Sequence, residues 1–244
     1  MKYFILIIIS ICLIGCTPPQ TNNDTSTNQL GPIATKYKSN ANQLMHAAMT
    51  DKAGFERLTE MCDTFGPRFS GSENLEKSID WILKEMKYDG LENVHGEEVM
   101  VPKWVRGKES AQMISPYVKE LAMLGLGGSI ATPTEGIKAE VLVVSGYDDL
   151  EAKSVEAKGK IVLYNVPFTN YGQTVQYRTG GAIAAAKAGA VASLIRSVGP
   201  FSMNTPHTGN SRYEDGVKKI PHAAITVEDA AIIARMAERG DIVT

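Results

Sequence analysis

Residues 158–197, KGKIVLYNVPFTNYGQTVQYRTGGAIAAAKAGAVASLIRS, decide the fold around them. Residues 161–164 and 191–195 are short apolar runs rich in β-branched residues, which is typical of buried strands. Between them, residues 180–189 contain five alanines, which favour a helix but add little side-chain bulk. A helix this thin can lie close to a sheet. Gly189 stands where a helix end needs positive φ, so the stretch predicts a compact βαβ-like unit.

Composition limits the classes of protein that the chain can form. Its 244 residues are 43% hydrophobic and 21% charged, which is ordinary for a globular protein with one large domain or two small ones. The formal net charge is −2, and the 25 basic residues form no long run. Nucleic-acid binding needs clustered Lys and Arg, so we expect no nucleic-acid partner.

The N-terminus has the pattern of an export signal. Lys2 precedes the apolar run 3–13, and Gly15 then precedes Cys16, so residues 1–15 are predicted to be a signal peptide. Residues 13–16, LIGC, also resemble the lipobox of bacterial lipoproteins, in which the cysteine is lipidated. We therefore expect Cys16 to anchor the protein to the extracytoplasmic side of a membrane. A plain cleaved signal would instead give a secreted protein.

Residues 16–35 are predicted to be a flexible tether, because most of them are polar and they include few large apolar side chains. With Cys16 lipidated, Cys62 would have no disulfide partner. It follows Phe55, Leu58 and Met61 at helical spacing, so we expect it to be a small buried apolar side chain.

Periodicity predicts the main elements of the remaining chain. Residues 37–49 and 54–62 are expected to be helices, and apolar residues at helical spacing over 75–86 predict a third, with Ser72 as its N-cap. Further predicted elements are strands at 94–101, 141–144 and 223–226, and a helix that begins with a capping box at Thr226 and ends near Gly240. This pattern gives an α/β fold.

Three side chains are candidates for a role in either a substrate cleft or the fold itself. Arg68 follows a rigid Gly-Pro turn, where a guanidinium can bind a substrate carboxylate or, more commonly, fasten the turn to backbone carbonyls. Arg178 lies in the polar, aromatic stretch 171–179, just before the predicted helix. His207 lies in the long loop 202–216, where it either belongs to a functional site or is a solvated or turn-stabilising imidazole.

The common catalytic motifs are missing from the sequence. Residues 125–127, GLG, could begin a dinucleotide-binding G-x-G-x-x-G, but Ile130 replaces the third glycine and Thr132-Pro133 follows where a helix should start. The four histidines show no metal-ligand spacing, and neither a nucleophile elbow nor a P-loop is present. We therefore assign no catalytic and no metal-binding residue.

Several linked motifs give the chain a family resemblance. These motifs are GPRFSGS at 66–72, LGLGGSI at 124–130, VQYRT at 175–179, KAGA at 187–190, PHTG at 206–209, and IP at 220–221 with ITVEDA at 225–230. On these motifs, the chain from about Lys36 to its last residue resembles the carboxypeptidase Q family of zinc metallopeptidases with a protease-associated domain.

This resemblance implies a domain organisation and a chemistry. Residues 36–110 would be the incomplete N-terminal part of a zinc-exopeptidase α/β domain, and residues 111–244 an inserted protease-associated domain with mixed strands and helices. Family members use two zinc ions, with a glutamate as general base, to hydrolyse dipeptides and short peptides, and the family suggests a homodimer.

The resemblance also implies where the zinc chemistry lies. The family's zinc ligands and base follow the inserted domain, and residues 241–244 have the pattern of a strand cut short. We therefore expect an N-terminal portion of the enzyme that is inactive alone. The alternative is a stand-alone, membrane-tethered module that binds peptides or a protein. A lipoprotein of purely structural role is a weaker third reading.

Overall fold

The structure is a computed structural model that describes residues 31–244. The predicted signal peptide, the lipidation site at Cys16 and the tether as far as residue 30 lie outside the described residues. Within the described part, residues up to Glu60 and residues from Met61 onward belong to two compact units. The domain boundaries predicted from the sequence stay a prediction.

The first unit contains α1 (Pro32–Thr50) and the start of α2 (Ala53–Phe65). Helix α1 begins earlier than predicted, because Pro32 fits the first helical position, where a missing N–H costs nothing. Asp51 ends α1, and its carboxylate accepts a hydrogen bond of 2.9 Å from the Ala53 N–H at the start of α2. Both predicted helices are confirmed.

Among residues 31–244, no helix is both long enough and apolar enough to cross a membrane.

Helix α3 (Glu73–Tyr88) confirms the third predicted helix and its cap. The Ser72 hydroxyl accepts a hydrogen bond of 3.2 Å from the Leu75 N–H. The Trp81 ring lies 5.9 Å from that of Phe65 at the end of α2, which holds the two helices together. The apolar face of α3 stays more than a third exposed at three positions, Ile79, Ile82 and Met86.

The predicted strand at 94–101 is wrong. These residues form no regular structure, and the side chains of Val99 and Met100 are 77% and 97% exposed. A strand needs a neighbour to satisfy its backbone groups, and no strand among residues 31–244 pairs with this segment. The apolar pattern alone does not make a strand here.

The rest of the chain forms two sheets and four helices. The strands are β1 (Ala111–Met113), β2 (Lys119–Leu121), β3 (Met123–Gly125), β4 (Val141–Val144), β5 (Ile161–Tyr164), β6 (Ala192–Arg196) and β7 (His222–Ile225). The helices are α4 (Tyr147–Ala152), α5 (Ser154–Ala157), α6 (Tyr171–Lys187) and α7 (Val227–Glu238). Strands β1 and β2 pair antiparallel, and the larger sheet has the order β3-β7-β6-β5-β4.

The larger sheet is mixed, as an α/β fold predicts. Strands β4 to β7 run parallel, and β3 pairs antiparallel with β7. Successive side chains of a strand point to opposite faces. Accordingly, Val162 and Tyr164 of β5 belong to the core that includes Ala182 of α6, whereas Leu163 belongs to the core that includes Ile233 of α7. The α/β class is confirmed.

Helix α6 is longer than predicted. Its helical residues begin at Tyr171 and not at 180, because the Asn170 side chain caps it by accepting a hydrogen bond of 3.0 Å from the Gln173 N–H. Its C-terminal end agrees with the sequence, since Gly189 has φ of +82°.

Gly181 brings α6 close to the sheet. A Cβ added at this glycine would lie 2.9 Å from Cε2 of Tyr164 and 3.4 Å from Cε1 of His222. The Tyr164 hydroxyl donates a hydrogen bond of 2.9 Å to the Gly181 carbonyl, so the contact is polar as well as close. Even one methyl group has no room at this interface.

Replacing Gly181 with alanine tests this packing. We expect Gly181→Ala to lower the free energy of unfolding by about 1–3 kcal/mol, because the new methyl group overpacks against Tyr164. Gly172→Ala is the matched control in the same helix, since its Cβ would meet only an ordinary contact of 3.5 Å. The control should change stability by less than about 1 kcal/mol. Urea unfolding measures both, and equal effects would contradict the close packing.

Candidate functional site

The candidate site begins where the glycine-rich segment after β3 meets the long loop after β6. The Gly127 N–H donates to the Gly209 carbonyl at 2.8 Å, and the Ser211 N–H donates to the Gly127 carbonyl at 2.8 Å. A Cβ at Gly127 would lie 2.5 Å from Oδ1 of Asn210. The glycines of residues 125–128 therefore let the loop approach this closely. Close packing accounts for the glycines of this segment, and no dinucleotide is needed to explain them.

Arg178 lies beneath this loop. The residue is only 9% exposed, although it carries a full positive charge. Its Nη1 donates to the Thr208 carbonyl at 3.3 Å, and its Nη2 donates to the Tyr171 hydroxyl at 2.8 Å. Its Cζ lies 5.5 Å from the centre of the Tyr171 ring. A Cβ at Gly209 would lie 2.6 Å from that Cζ, so only glycine fits over the guanidinium.

The hydrogen bonding of Arg178 is incomplete. Its Nε is buried and has no hydrogen-bond partner among the described residues. No carboxylate within residues 31–244 forms an ion pair with it. By contrast, buried Asp229 receives Lys119 Nζ at 2.7 Å and the Ala122 N–H at 2.9 Å. Buried charges are normally paired, so Arg178 is an exception that needs a reason.

His207 lies on the other side of Tyr171. The two rings are 6.0 Å apart and nearly perpendicular, and the His207 N–H donates to the Ser197 hydroxyl at 2.9 Å. Partial desolvation and the Arg178 charge both lower the pKa of His207 below its usual value of 6.5. The ring is therefore mostly neutral at pH 7. Two of the three candidates, Arg178 and His207, thus lie around one tyrosine.

Arg68 contacts its own turn and the C-terminal part of α2. Its Nη1 donates to the carbonyls of Gly66, in the turn, at 2.5 Å and of Met61, in α2, at 3.3 Å. The geometry is that of an arginine fastening a turn. Its Nη2 lies 3.9 Å from the Sγ of Cys62, which is exposed and not buried as predicted, because no residue of α2 is buried.

Sequence reasoning missed two parts of the site, Tyr171 and Gly209. Tyr171 precedes the candidate Arg178 by seven residues, and Gly209 follows the candidate His207 by two. A signal for Tyr171 existed, because residues seven apart in a helix share a face. Gly209 belongs to the PHTG motif at 206–209, but no sequence signal shows that it covers a guanidinium.

The described residues do not fit a zinc site. Within residues 31–244, no group of three or more His, Cys, Asp or Glu side chains could hold a metal ion. His222 is buried at the start of β7, where desolvation lowers its pKa to about 3 and Ser211 Oγ lies 3.1 Å from its Nδ1. Its environment keeps it neutral beside a serine hydroxyl.

Comparison with known proteins agrees with the predicted resemblance. The chain is 48% identical over 244 residues to carboxypeptidase Q of Mus musculus, covering 98% of this chain and 52% of the relative. It is 55% identical over 203 residues to carboxypeptidase Q of Homo sapiens, covering 82% of this chain and 43% of the relative. This chain is a homologue of carboxypeptidase Q. The predicted resemblance is confirmed.

Two solved structures are similar to the described structure. A peptidase M28 precursor from Shewanella amazonensis matches with a TM-score of 0.81 and 35% identity, covering 86% of this chain and 49% of that one. A zinc aminopeptidase from Bacillus subtilis matches with a TM-score of 0.52 and 22% identity, covering 74% of this chain and 40% of that one, which shows a shared fold. No family model matches the chain.

The carboxypeptidase Q homologue spans about half the length of the curated relatives it matches.

Titration of His207 tests its proximity to Arg178. We expect an NMR titration to give a pKa below 6.5, and we expect Arg178→Gln to raise this pKa because the variant removes a nearby positive charge. Desolvation remains in the variant, so the pKa should not exceed the usual value.

The control for this titration is Arg239→Gln, which removes an exposed arginine that pairs with Asp241. It should leave the pKa of His207 unchanged. Identical titration curves for Arg178→Gln and the unmodified chain would show that the two side chains do not interact.

Proposed function

We propose that this chain is the N-terminal portion of an exported zinc metallo-exopeptidase that hydrolyses dipeptides or short peptides. The observation that carries the proposal is about 50% identity to carboxypeptidase Q over most of the chain. Residues 31–244 contain no set of metal-ligating side chains, so we place the zinc ligands and the general base outside them. The chain then supplies binding surfaces for the substrate and is inactive alone.

The sheet and the helices that precede it support a proposal of two domains. The sheet of β3 to β7 and its two cores lie within residues 111–244, and we propose that these residues form a protease-associated domain. Helix α3 has an apolar face that is more than a third exposed at Ile79, Ile82 and Met86. We propose that α2 and α3 belong to the peptidase domain and bury this face when that domain is complete.

Export is part of the proposal. The apolar run, Gly15 and Cys16 support a signal peptide with a lipidated cysteine, which would hold the enzyme on the extracytoplasmic side of a membrane. If Cys16 is not lipidated, the enzyme is secreted. A homodimer remains a proposal that the family resemblance supports.

Metal content and hydrolysis test the placement of the catalytic centre. We expect the purified 244-residue chain to bind no stoichiometric zinc and to hydrolyse no dipeptide, because its described residues offer no metal cluster. Fusing it to the part of mouse carboxypeptidase Q that it does not cover should restore dipeptide hydrolysis that a chelator abolishes. Elemental analysis and release of free amino acid are the measurements.

One outcome would contradict this placement. Tight zinc at one or more ions per chain, or turnover by the chain alone, would show that the catalytic centre lies within these 244 residues.

The alternative is a stand-alone module that binds peptides or a partner protein. It is favoured by the two cores of the sheet, which include no residue from 31–112. A single cooperative unfolding transition of a monomeric chain, with no gain of activity in the fusion protein, would favour this module over the peptidase fragment.

A further inference from the structure

We propose that Arg178 is a carboxylate-binding residue, and that its ligand is the terminal carboxylate of a peptide. The inference rests on the proposed function in one respect, since short peptides are its substrates. The binding site itself stands on the contacts of Arg178 with Tyr171, Thr208 and Gly209.

The first argument is charge. Arg178 is about nine-tenths buried, and its two hydrogen-bond acceptors are neutral: a backbone carbonyl and a phenol. Two other partly or fully buried ion pairs of this unit are complete, between Arg106 and Glu109 and between Lys119 and Asp229. An uncompensated buried cation is costly, and an anion that enters the site would offset that cost.

The second argument is geometry. A guanidinium binds a carboxylate through two parallel hydrogen bonds along one edge of its plane. The edge formed by Nε and Nη2 of Arg178 holds an Nε without a partner among the described residues and an Nη2 that meets only the Tyr171 hydroxyl. A carboxylate can bind Nε and share or replace the hydroxyl at Nη2.

The third argument is the surrounding loop. Gly209 lies so close to the guanidinium that any Cβ would displace it, and Thr208 holds Nη1 through its carbonyl oxygen. The Thr208 hydroxyl is itself fastened to the Gly125 carbonyl at 3.3 Å. The guanidinium is therefore held in one orientation before a ligand arrives, which reduces the entropy lost on binding.

Tyr171 is an exposed residue that contacts the buried Arg178. It is 49% exposed, whereas Arg178 is buried, and its ring contacts both Arg178 and His207. A neutral hydroxyl bonds a cation less strongly than a carboxylate does. An incoming carboxylate can therefore displace Tyr171 from Nη2, and the amide portion of the peptide would then lie beside the tyrosine and histidine rings.

NMR of the arginine Nε–H groups in the full 244-residue chain tests this inference directly. The probes are N-acetyl-L-alanine, its primary amide and inorganic phosphate. We expect a saturable shift of the Arg178 Nε–H signal with the acid and none with the amide, which has the same shape without the charge. Weaker binding of phosphate would indicate a site built for a carboxylate, and tighter binding of phosphate would overturn that assignment.

The spectrum contains its own reference. Arg196 also has a buried Nε without a partner among the described residues, and its Nη1 donates to the Asn165 side chain at 3.3 Å. Unlike Arg178, the residue is only partly buried, so solvent screens its charge and leaves it less need of an anion. Its signal should stay in place. A shift confined to Arg196, equal shifts with acid and amide, or no shift of the Arg178 signal at saturating acid would overturn the proposal.

Variants give a second reading. Arg178→Lys keeps the charge but loses the planar fork, so the affinity for the acid should fall about tenfold, whereas Arg239→Gln should leave it unchanged. If Arg178→Lys does not fold, the comparison of acid with amide on the unmodified chain still tests whether Arg178 binds a carboxylate. None of these measurements needs zinc or turnover, so failure here is distinguishable from failure of the peptidase assignment.

Discussion

The contact of α6 with the sheet at Gly181 is the constraint on which the candidate site depends. Without a side chain at this position, the helix lies against the Tyr164 ring and bonds its hydroxyl. Arg178 precedes Gly181 by three residues and so lies on nearly the same side of the helix. The close approach therefore carries Arg178 inward, beneath the loop at Thr208 and Gly209. A bulkier helix would leave it on the surface.

Burial changes what an arginine can do. At the surface, solvent and salt screen the charge of a guanidinium, and its long side chain moves freely. Arg178 is held by a tyrosine, a backbone carbonyl and a glycine, with no carboxylate partner among residues 31–244. The same charge lowers the pKa of His207 and helps to keep that ring neutral. The site therefore carries one fixed positive charge, a property that suits recognition of a single anionic group.

The sequence predicted those parts of the fold that depend on local patterns. Ser72 and Thr226 cap helices as expected, and the apolar runs at 141–144 and 161–164 are strands of the larger sheet. The prediction of a strand at 94–101 was wrong, because strand pairing depends on residues distant in the sequence and not on the local apolar pattern alone. The Asn170 side chain caps α6, which therefore begins at Tyr171, whereas the alanine-rich pattern alone predicts only its second half.

The candidate site was only partly predictable for the same reason. Arg178 and His207 stand out by residue type, but the contact between Arg178 and Thr208 joins residues 30 apart in the sequence. Nothing in the sequence shows that Arg178 is buried or that Gly209 covers it. The sequence itself shows that the histidines lack zinc-ligand spacing. The proposal that Arg178 binds a carboxylate depends on contacts that only the three-dimensional structure shows.

The most direct test of this account is an NOE spectrum of the chain in solution. The packing at Gly181 and Gly209 predicts strong cross-peaks from the Gly181 Hα protons to the Tyr164 ring and from the Gly209 Hα protons to the Arg178 Nε–H. Both should be present in the same sample, because one close packing produces both contacts. An assigned spectrum with the first cross-peak and without the second would contradict the claim that the helix contact places Arg178 beneath the loop.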